Sequence, residues 1–467
     1  MWKPRIIGCL VLCQVIVLSN AIWAQEDRTK YRELTLSPKA EARPALKYRL
    51  QKRVYELNND NAAVLYHSAA EQCPQDGEDK LFDKIDQWCD MPIDQLPRKE
   101  VQETLGKFRA TFRCLELAAM RRRCEWDMPI EEGFAMLMPS LGVYRRITFA
   151  LSVKLRLQIA DGRIDDALST LTTGLAMSRG IGHGPTVIQD LVGISIAARM
   201  IERAGELIGS PNAPNLYWAL TELPIPFVDL RQSLSYEYDL MYWEIPELRD
   251  LDKEVLSETQ ASDLVNKTFK KFAETGLWEH SEFDVLPMVW VMMHYVDAKN
   301  FLVERGMKLA RIEAMPAAQV VMLYQFKEFE EVKDDMFKWL TLPYDQYREY
   351  AQEHEKALDG VIQRGLKSNL FAMYLPALSR IRFLETRLCR DIAVLRVIEA
   401  LRLYAAQNQG TFPQSLDDIT RVPVPKDPVT GQAFVYQFKD SRHSRLEAPQ
   451  SKEETSKRPV FDLILRP

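Results

Sequence analysis

From about residue 61 to residue 408, apolar side chains recur every three or four positions, a spacing that lines one face of an α-helix and suits no strand. Val101, Leu105, Phe108, Phe112, Leu115 and Ala119 form one such stripe, predicting a helix over 98–122. Val143, Ile147, Ala150, Leu151, Leu155 and Ile159 form another over 141–161. The same pattern predicts helices over 165–178, 186–208, 227–243, 261–275, 287–310, 315–340, 344–358 and 365–407. Gly180–Pro185, Gly209–Pro214, Leu223–Pro226, Pro343 and Gly360 supply the breaks. So many helices with short connectors bury their stripes against one another. The expected fold is therefore mainly α, either a multi-helix array or an irregular helical domain of antiparallel hairpins, with two subdomains dividing near 209–226.

The two ends read differently. Residues 25–60 mix short alternating runs, Arg32–Ser37 and Ala45–Leu50, with Pro38 and Pro44, which predicts an extended arm or a short hairpin. Residues 409–467 predict a small antiparallel β element. Its strands are Ala433–Phe438 and Val460–Leu465, joined by a polar loop over 439–459. The run Val285–Val296 is twelve residues long, too short to span a bilayer, and reads as a buried core helix.

Residues 1–24 have the pattern of a secretory signal peptide. Lys3 and Arg5 precede an uncharged, mostly apolar run from Ile6 to Leu18, and small residues follow. Cleavage after Ala24 starts the mature chain at Gln25, and Ala21 is the alternative. Whole, the chain holds 61 basic and 66 acidic side chains, a net charge of −5, and loss of Lys3 and Arg5 takes it to −7. The expectation is an exported protein, periplasmic or extracellular, with no integral membrane segment after processing. An acidic chain without a basic block is poorly suited to nucleic acid, whose binding runs on Lys and Arg at phosphates. Cys73, Cys89, Cys114, Cys124 and Cys389 remain after processing. An exported compartment permits disulfides, but five is odd, and the connectivity is open. Cys114 and Cys124 cannot pair if one helix carries both.

Motifs of chemistry are sparse. His67, His183, His280, His294, His354 and His443 form no pair at helical ligand spacing, and no C-x-x-C occurs, so no metal or other cofactor is indicated. His294 sits within an apolar run and reads as a core residue. The glycine-rich stretch 180–184 lacks the preceding strand and the Lys of a phosphate loop, and reads as a helix–helix turn. The helix N-terminus after it, at Thr186, could bind an anion weakly. Tyr236, Glu237, Asp239, Glu244 and Glu247 put acids and aromatics on one helix, and Glu279–Asp284 is a second cluster. Two carboxylates flanking a bond are the machinery of glycoside hydrolysis, which makes Glu237 and Asp284 the catalytic candidates. The competing reading is a solvated helix face and a polar turn.

Leu155–Gly174 resembles a tetratricopeptide-type helical hairpin, with Gly162 in the turn and Ala167 and Leu168 at the helix–helix contact. One unit implies hairpin architecture and no ligand-binding superhelix. Leu395–Tyr436 resembles the distal part of a bacterial type II pseudopilin. Gly410, Pro413, Leu416, Asp427, Pro428 and Gly431 carry that likeness, which implies a local helix followed by a β-hairpin. The chain as a whole is similar to large exported proteins of planctomycete-type bacteria, through Pro44–Leu50, Arg123–Trp126, Arg156–Arg163 and Pro214–Leu220. That resemblance implies a compartment and no mechanism. The functional expectation is a protein-interaction or scaffold role in the cell envelope, with an unidentified protein or peptide partner. The alternatives are an all-α hydrolase of an envelope polysaccharide or peptide, and an accessory of a pilin-like secretion apparatus.

Overall fold

A computed structural model describes residues 32–75, 80–129, 140–274, 287–348, 350, 369–371, 378–450 and 458–466. Ala24, Gln25 and the rest of the expected signal segment, the cluster around Asp284 and most of the helix expected over 344–358 lie outside those residues. The fold is mainly helical with a small C-terminal sheet. It divides into two compact units. The larger comprises 24–127, 138–233 and 383–467, and the smaller 1–23, 128–137 and 234–382. The division thus falls at 233/234 and 382/383 and not near 209–226, because the punctuation at Gly209–Pro226 is absorbed inside the larger unit.

In the larger unit the chain opens with β1 (Arg32–Leu36) and β2 (Asn58–Asn61). Helices α1 (Ala63–Glu71), α2 (Leu81–Asp90), α3 (Arg98–Gly106) and α4 (Arg109–Ala118) follow, then β3 (Arg121–Arg123). The single helix expected over 98–122 is therefore two helices and a strand. Its stripe is intact, with Val101, Leu105, Phe108, Phe112 and Leu115 buried, but the backbone breaks at Lys107–Phe108 without moving the stripe off the core. Arg121–Arg123 pairs in parallel with β2 instead of ending a helix. Cys124 thus lies beyond the helix of Cys114, and all five described cysteines are free thiols.

Helices α5 (Leu141–Ala160), α6 (Ile164–Ile181) and α7 (Val187–Ile208) pack on one another and form the centre of this unit. The α5–α6 turn is the hairpin legible at 155–174. Gly162 sits at φ +71°, where an L side chain is strained. Its N–H donates to the Ile159 carbonyl (3.0 Å) and the Arg163 N–H to the Gln158 carbonyl (2.9 Å), closing the last turn of α5. Ala167 and Leu168 are buried behind it. At the α6–α7 corner the backbones nearly touch. A methyl group added at Gly193 would lie 2.7 Å from Gly182 Cα and 2.8 Å from the Ser178 carbonyl oxygen. The Thr186 N-terminus of α7 is buried, with its hydroxyl accepting from the Gln189 N–H (3.4 Å), so it offers no open anion site.

Short α8 (Tyr217–Thr221) and the start of α9 (Arg231–Glu244) leave this unit, and the chain returns along α14 (Leu378–Gln407). Buried charge organises the return. Arg402 donates to both carboxylate oxygens of Glu399 (2.9 Å) and to the carbonyls of Ser37 (3.0 Å), Ala213 (3.0 Å) and Pro214 (3.2 Å). Arg390 makes a bidentate pair with Asp427 at 2.9 and 3.0 Å, both side chains wholly buried. Asp427 also accepts from the Val429 N–H (3.1 Å) and the Thr430 hydroxyl (2.7 Å), holding the Asp-Pro-x-x-Gly turn.

After that turn come β4 (Val435–Asp440), β5 (His443–Glu447) and β6 (Val460–Leu465). They form an antiparallel meander, as expected, but β5 occupies residues assigned from sequence to a polar loop. His443–Glu447 alternates too weakly in hydropathy to announce a strand, and its pairing on both sides holds it. The sheet order is β1-β6-β5-β4, with β1 parallel to β6 and Leu36 opposite Leu465. Residues 32–36 of the expected N-terminal arm are thus an edge strand of the C-terminal sheet.

The smaller unit contains the rest of α9, then α10 (Glu258–Glu274), α11 (Pro287–Glu304), α12 (Leu309–Glu313) and α13 (Ala317–Leu340). Helix α13 is its axis, packing against α10 and α11 and burying Val320, Val321, Met322, Leu323, Phe326 and Phe329.

Candidate functional site

Helix α11 is apolar on more than one side. Trp290, Val291, His294, Ala298 and Leu302 face inward and are buried. The Trp290 ring meets Phe269 of α10 at 5.3 Å, and Phe301 meets Tyr324 of α13 at 5.0 Å. His294 is held within the helix, its Nδ1 2.8 Å from the Trp290 carbonyl oxygen and its ring 4.9 Å from the indole. Lys299 pairs with Glu313 of α12 (2.9 Å), and Arg305, just past the end of α11, pairs with Glu331 of α13 (2.7 Å). The helix is therefore fixed in place.

Its other side is open. Met292, Met293 and Val296 are 68%, 65% and 66% exposed, and Met288, Val289 and Val303 are exposed as well. At 100° per residue, Met288, Met292, Val296 and Val303 fall on one line along the outer face, with Val289 and Met293 beside it. Asp297 and Glu304, seven residues apart and both exposed, border that stripe on one side. The sequence expectation of a buried core helix at Val285–Val296 thus holds for one face of the described residues 287–296 and fails for the other. A run apolar all round gives no period from which to tell which side faces solvent, so its length alone had suggested full burial. Contiguous exposed apolar surface on this scale is uncommon and marks contact sites. Three methionines give the face an adaptable, polarizable surface.

The acid and aromatic groups of α9 are arranged differently. The Tyr238 hydroxyl donates to Asp334 (2.7 Å) and the Tyr242 hydroxyl to Glu330, both on α13. Between them lies the Lys333 ammonium, 3.8 Å from the Tyr238 ring centre and 5.4 Å from that of Tyr242, donating to the Tyr238 carbonyl (3.2 Å). Burial lowers the Lys333 pKa, opposed by the carboxylates of Glu330, Asp334 and Asp239. The aromatic platform that could have received a sugar is filled by the protein's own cation. Glu244 and Glu247 pair with Lys271 and Lys267 of α10. Glu237 is half-buried on the same helix, and Asp284 lies outside the described residues.

Among the described residues no group of three or more His, Cys, Asp and Glu side chains is placed to hold a metal ion. A cleft in the larger unit, lined by Phe112, Glu116, Lys154 and Thr173, is too small to admit a small molecule. Its own residues close it: Lys154 pairs with Glu116 (3.1 Å) and stands 4.7 Å over the Phe112 ring. No helix among the described residues is long and apolar enough to cross a membrane. No protein-family model, curated protein or solved structure matches the chain. Among the described residues, six of the exposed large apolar side chains lie on α11.

Proposed function

We propose that this is an exported helical protein with an interaction or scaffold role in the cell envelope, and that it holds a protein partner on the outer face of α11. The observation that carries the reading is a row of exposed methionine and valine side chains on a helix anchored by ion pairs at its C-terminal end and by ring contacts along its length. A rigid helix presents such a row without paying ordering entropy on binding, the condition under which apolar contact converts most fully into affinity. The export part rests on the charged, apolar and small-residue regions of residues 1–24.

The test is a photo-crosslinking side chain placed at Met292 in the native cells, with Glu103 on α3 as an exposed control. A discrete protein adduct at 292 that is missing at 103, and that disappears when Met288 and Met293 are changed to Ser, is the expected result. No adduct from a correctly folded chain rejects the docking surface. Intact mass of the envelope-associated protein is expected to lack the first 24 residues, and a cytosolic chain that retains them rejects export.

A further inference from the structure

Charge is unevenly divided along the chain. Between 234 and 382 there are 26 Asp and Glu against 18 Lys and Arg, a net of −8 in a chain whose total is −5. The unit that carries the apolar face of α11 is therefore strongly acidic, while the remainder of the chain is slightly basic. At the face itself, Asp297 and Glu304 border the stripe, and Lys299, which falls between Met288 and Met292 at the opposite margin, is engaged by Glu313. We infer that the partner segment docked on α11 is a basic amphipathic helix, its apolar side on the methionine stripe and its Lys or Arg side chains toward Asp297 and Glu304. This rests on the docking reading above and names the chemistry of its occupant.

Three physical points select that occupant. The row Met288, Met292, Val296 follows the i, i+4 ridge of a helix, which interlocks with the groove of another helix. From Met288 to Val303 the stripe runs about 22 Å at 1.5 Å per residue, matching a partner helix of roughly four turns. The sign of the surrounding charge then decides between occupants. A second copy would bring two acidic units face to face, and an anionic lipid surface would repel the same unit, whereas a cationic helix is steered in.

The test uses the full chain and three labelled eighteen-residue probes read by fluorescence anisotropy: an amphipathic Leu/Lys helix, its Leu/Glu counterpart, and a scrambled Leu/Lys peptide of the same composition. The Leu/Lys helix is expected to bind at least about tenfold tighter than either other probe, as loss of a central apolar anchor or of charge match requires. Met292→Ser with Met293→Ser should weaken it about tenfold. Asp297→Asn with Glu304→Gln should weaken it several-fold and flatten its dependence on salt. Unchanged thermal midpoints show that the variants are folded.

Equal binding of the Leu/Glu probe, equal binding of the scrambled probe, or insensitivity to both double variants overturns the inference. So does a dimer in sedimentation that the methionine variant dissociates, or binding to vesicles containing phosphatidylglycerol. A Met292 adduct whose contact segment proves acidic sinks this inference and leaves the docking reading standing, while the absence of any adduct removes both.

Discussion

Two glycines on α7 separate what a residue type announces from what its neighbours demand. Gly193 faces the backbone of Gly182 and the Ser178 carbonyl at distances no side chain tolerates, whereas a methyl at Gly205 would meet only Leu395 Cδ2, at 3.6 Å. Gly193→Ala should therefore destabilise the chain by about 1–3 kcal/mol. Gly205→Ala should be neutral or stabilise by up to about 1 kcal/mol through helix propensity. Urea denaturation of the two variants checks both. Gly162 was legible in the sequence because a turn glycine sits between two periodic runs. Gly193 was not, because its constraint comes from Ser178 on another helix and from Gly182 just past that helix's end. Arg156 illustrates the same limit. It lies among apolar residues of α5 yet points inward, donating to the carbonyls of Cys89 (3.1 Å) and Met91 (2.5 Å) at the end of α2. Spacing counts it as a polar interruption, and its partners, the carbonyls at the end of α2 and the Glu206 carboxylate of α7 (2.9 Å), are remote in sequence.

The thiols belong to the same scale. Burial pushes Cys89 up to about 11 and Cys124 up to about 12, from an ordinary value of 9.0. In the folded chain both keep protons that an unfolded thiol loses, so their stabilisation is complete below about pH 9 and is lost as pH rises through 11 to 12. The urea midpoint should fall over that window, and replacing both cysteines by Ala should flatten the fall. Under native conditions Cys114, half-buried, should react with a thiol reagent well ahead of the buried Cys73, Cys89 and Cys389. Equal rates for these four would contradict the burial described.

At the scale of elements, the helices were legible because each carries its own stripe, and local spacing suffices to find them. The strands were only partly so. Residues 460–465 are apolar enough to declare themselves, but β5 and β3 exist through pairing, and pairing partners are remote in sequence. The Asp427–Gly431 turn stood out by its residue types, yet its anchor, Arg390, lies in the middle of a thirty-residue helix where nothing distinguishes it from the other arginines. Asp427→Asn takes away the carboxylate that the buried Arg390 guanidinium grips at both oxygens. It should cost about 3–5 kcal/mol, the range for breaking a buried ion pair from one side. Hydrogen exchange over 435–447 should rise in the same variant, since the turn feeds that hairpin. Exchange unchanged from the parent would mean the pair does not support the strands.

For the whole molecule, the overall class followed from periodicity, whereas the division into units did not. Each unit is assembled from segments far apart in the chain, and the breaks between helices look alike whether they fall within a unit or between two. The candidate surface was hidden for a related reason: on α11 the apolar residues are not confined to one side, and burial is decided by where α10 and α13 run out. If that face is open in solution, Met292→Ser with Met293→Ser should leave the unfolding free energy within about 0.5 kcal/mol of the parent. The same variant should bind markedly less of a hydrophobic dye. A large loss of stability would place those side chains in the core.

The pairing of β1 with β6 carries a consequence for how the chain comes into being. The strand at 32–36 finds its neighbour only in the stretch at 460–465, some four hundred residues later in synthesis. Until the ribosome has delivered residues 460–465, β1 has no strand to pair with. The helices between them carry local contacts and can close first, so the sheet is the late event in the making of the larger unit.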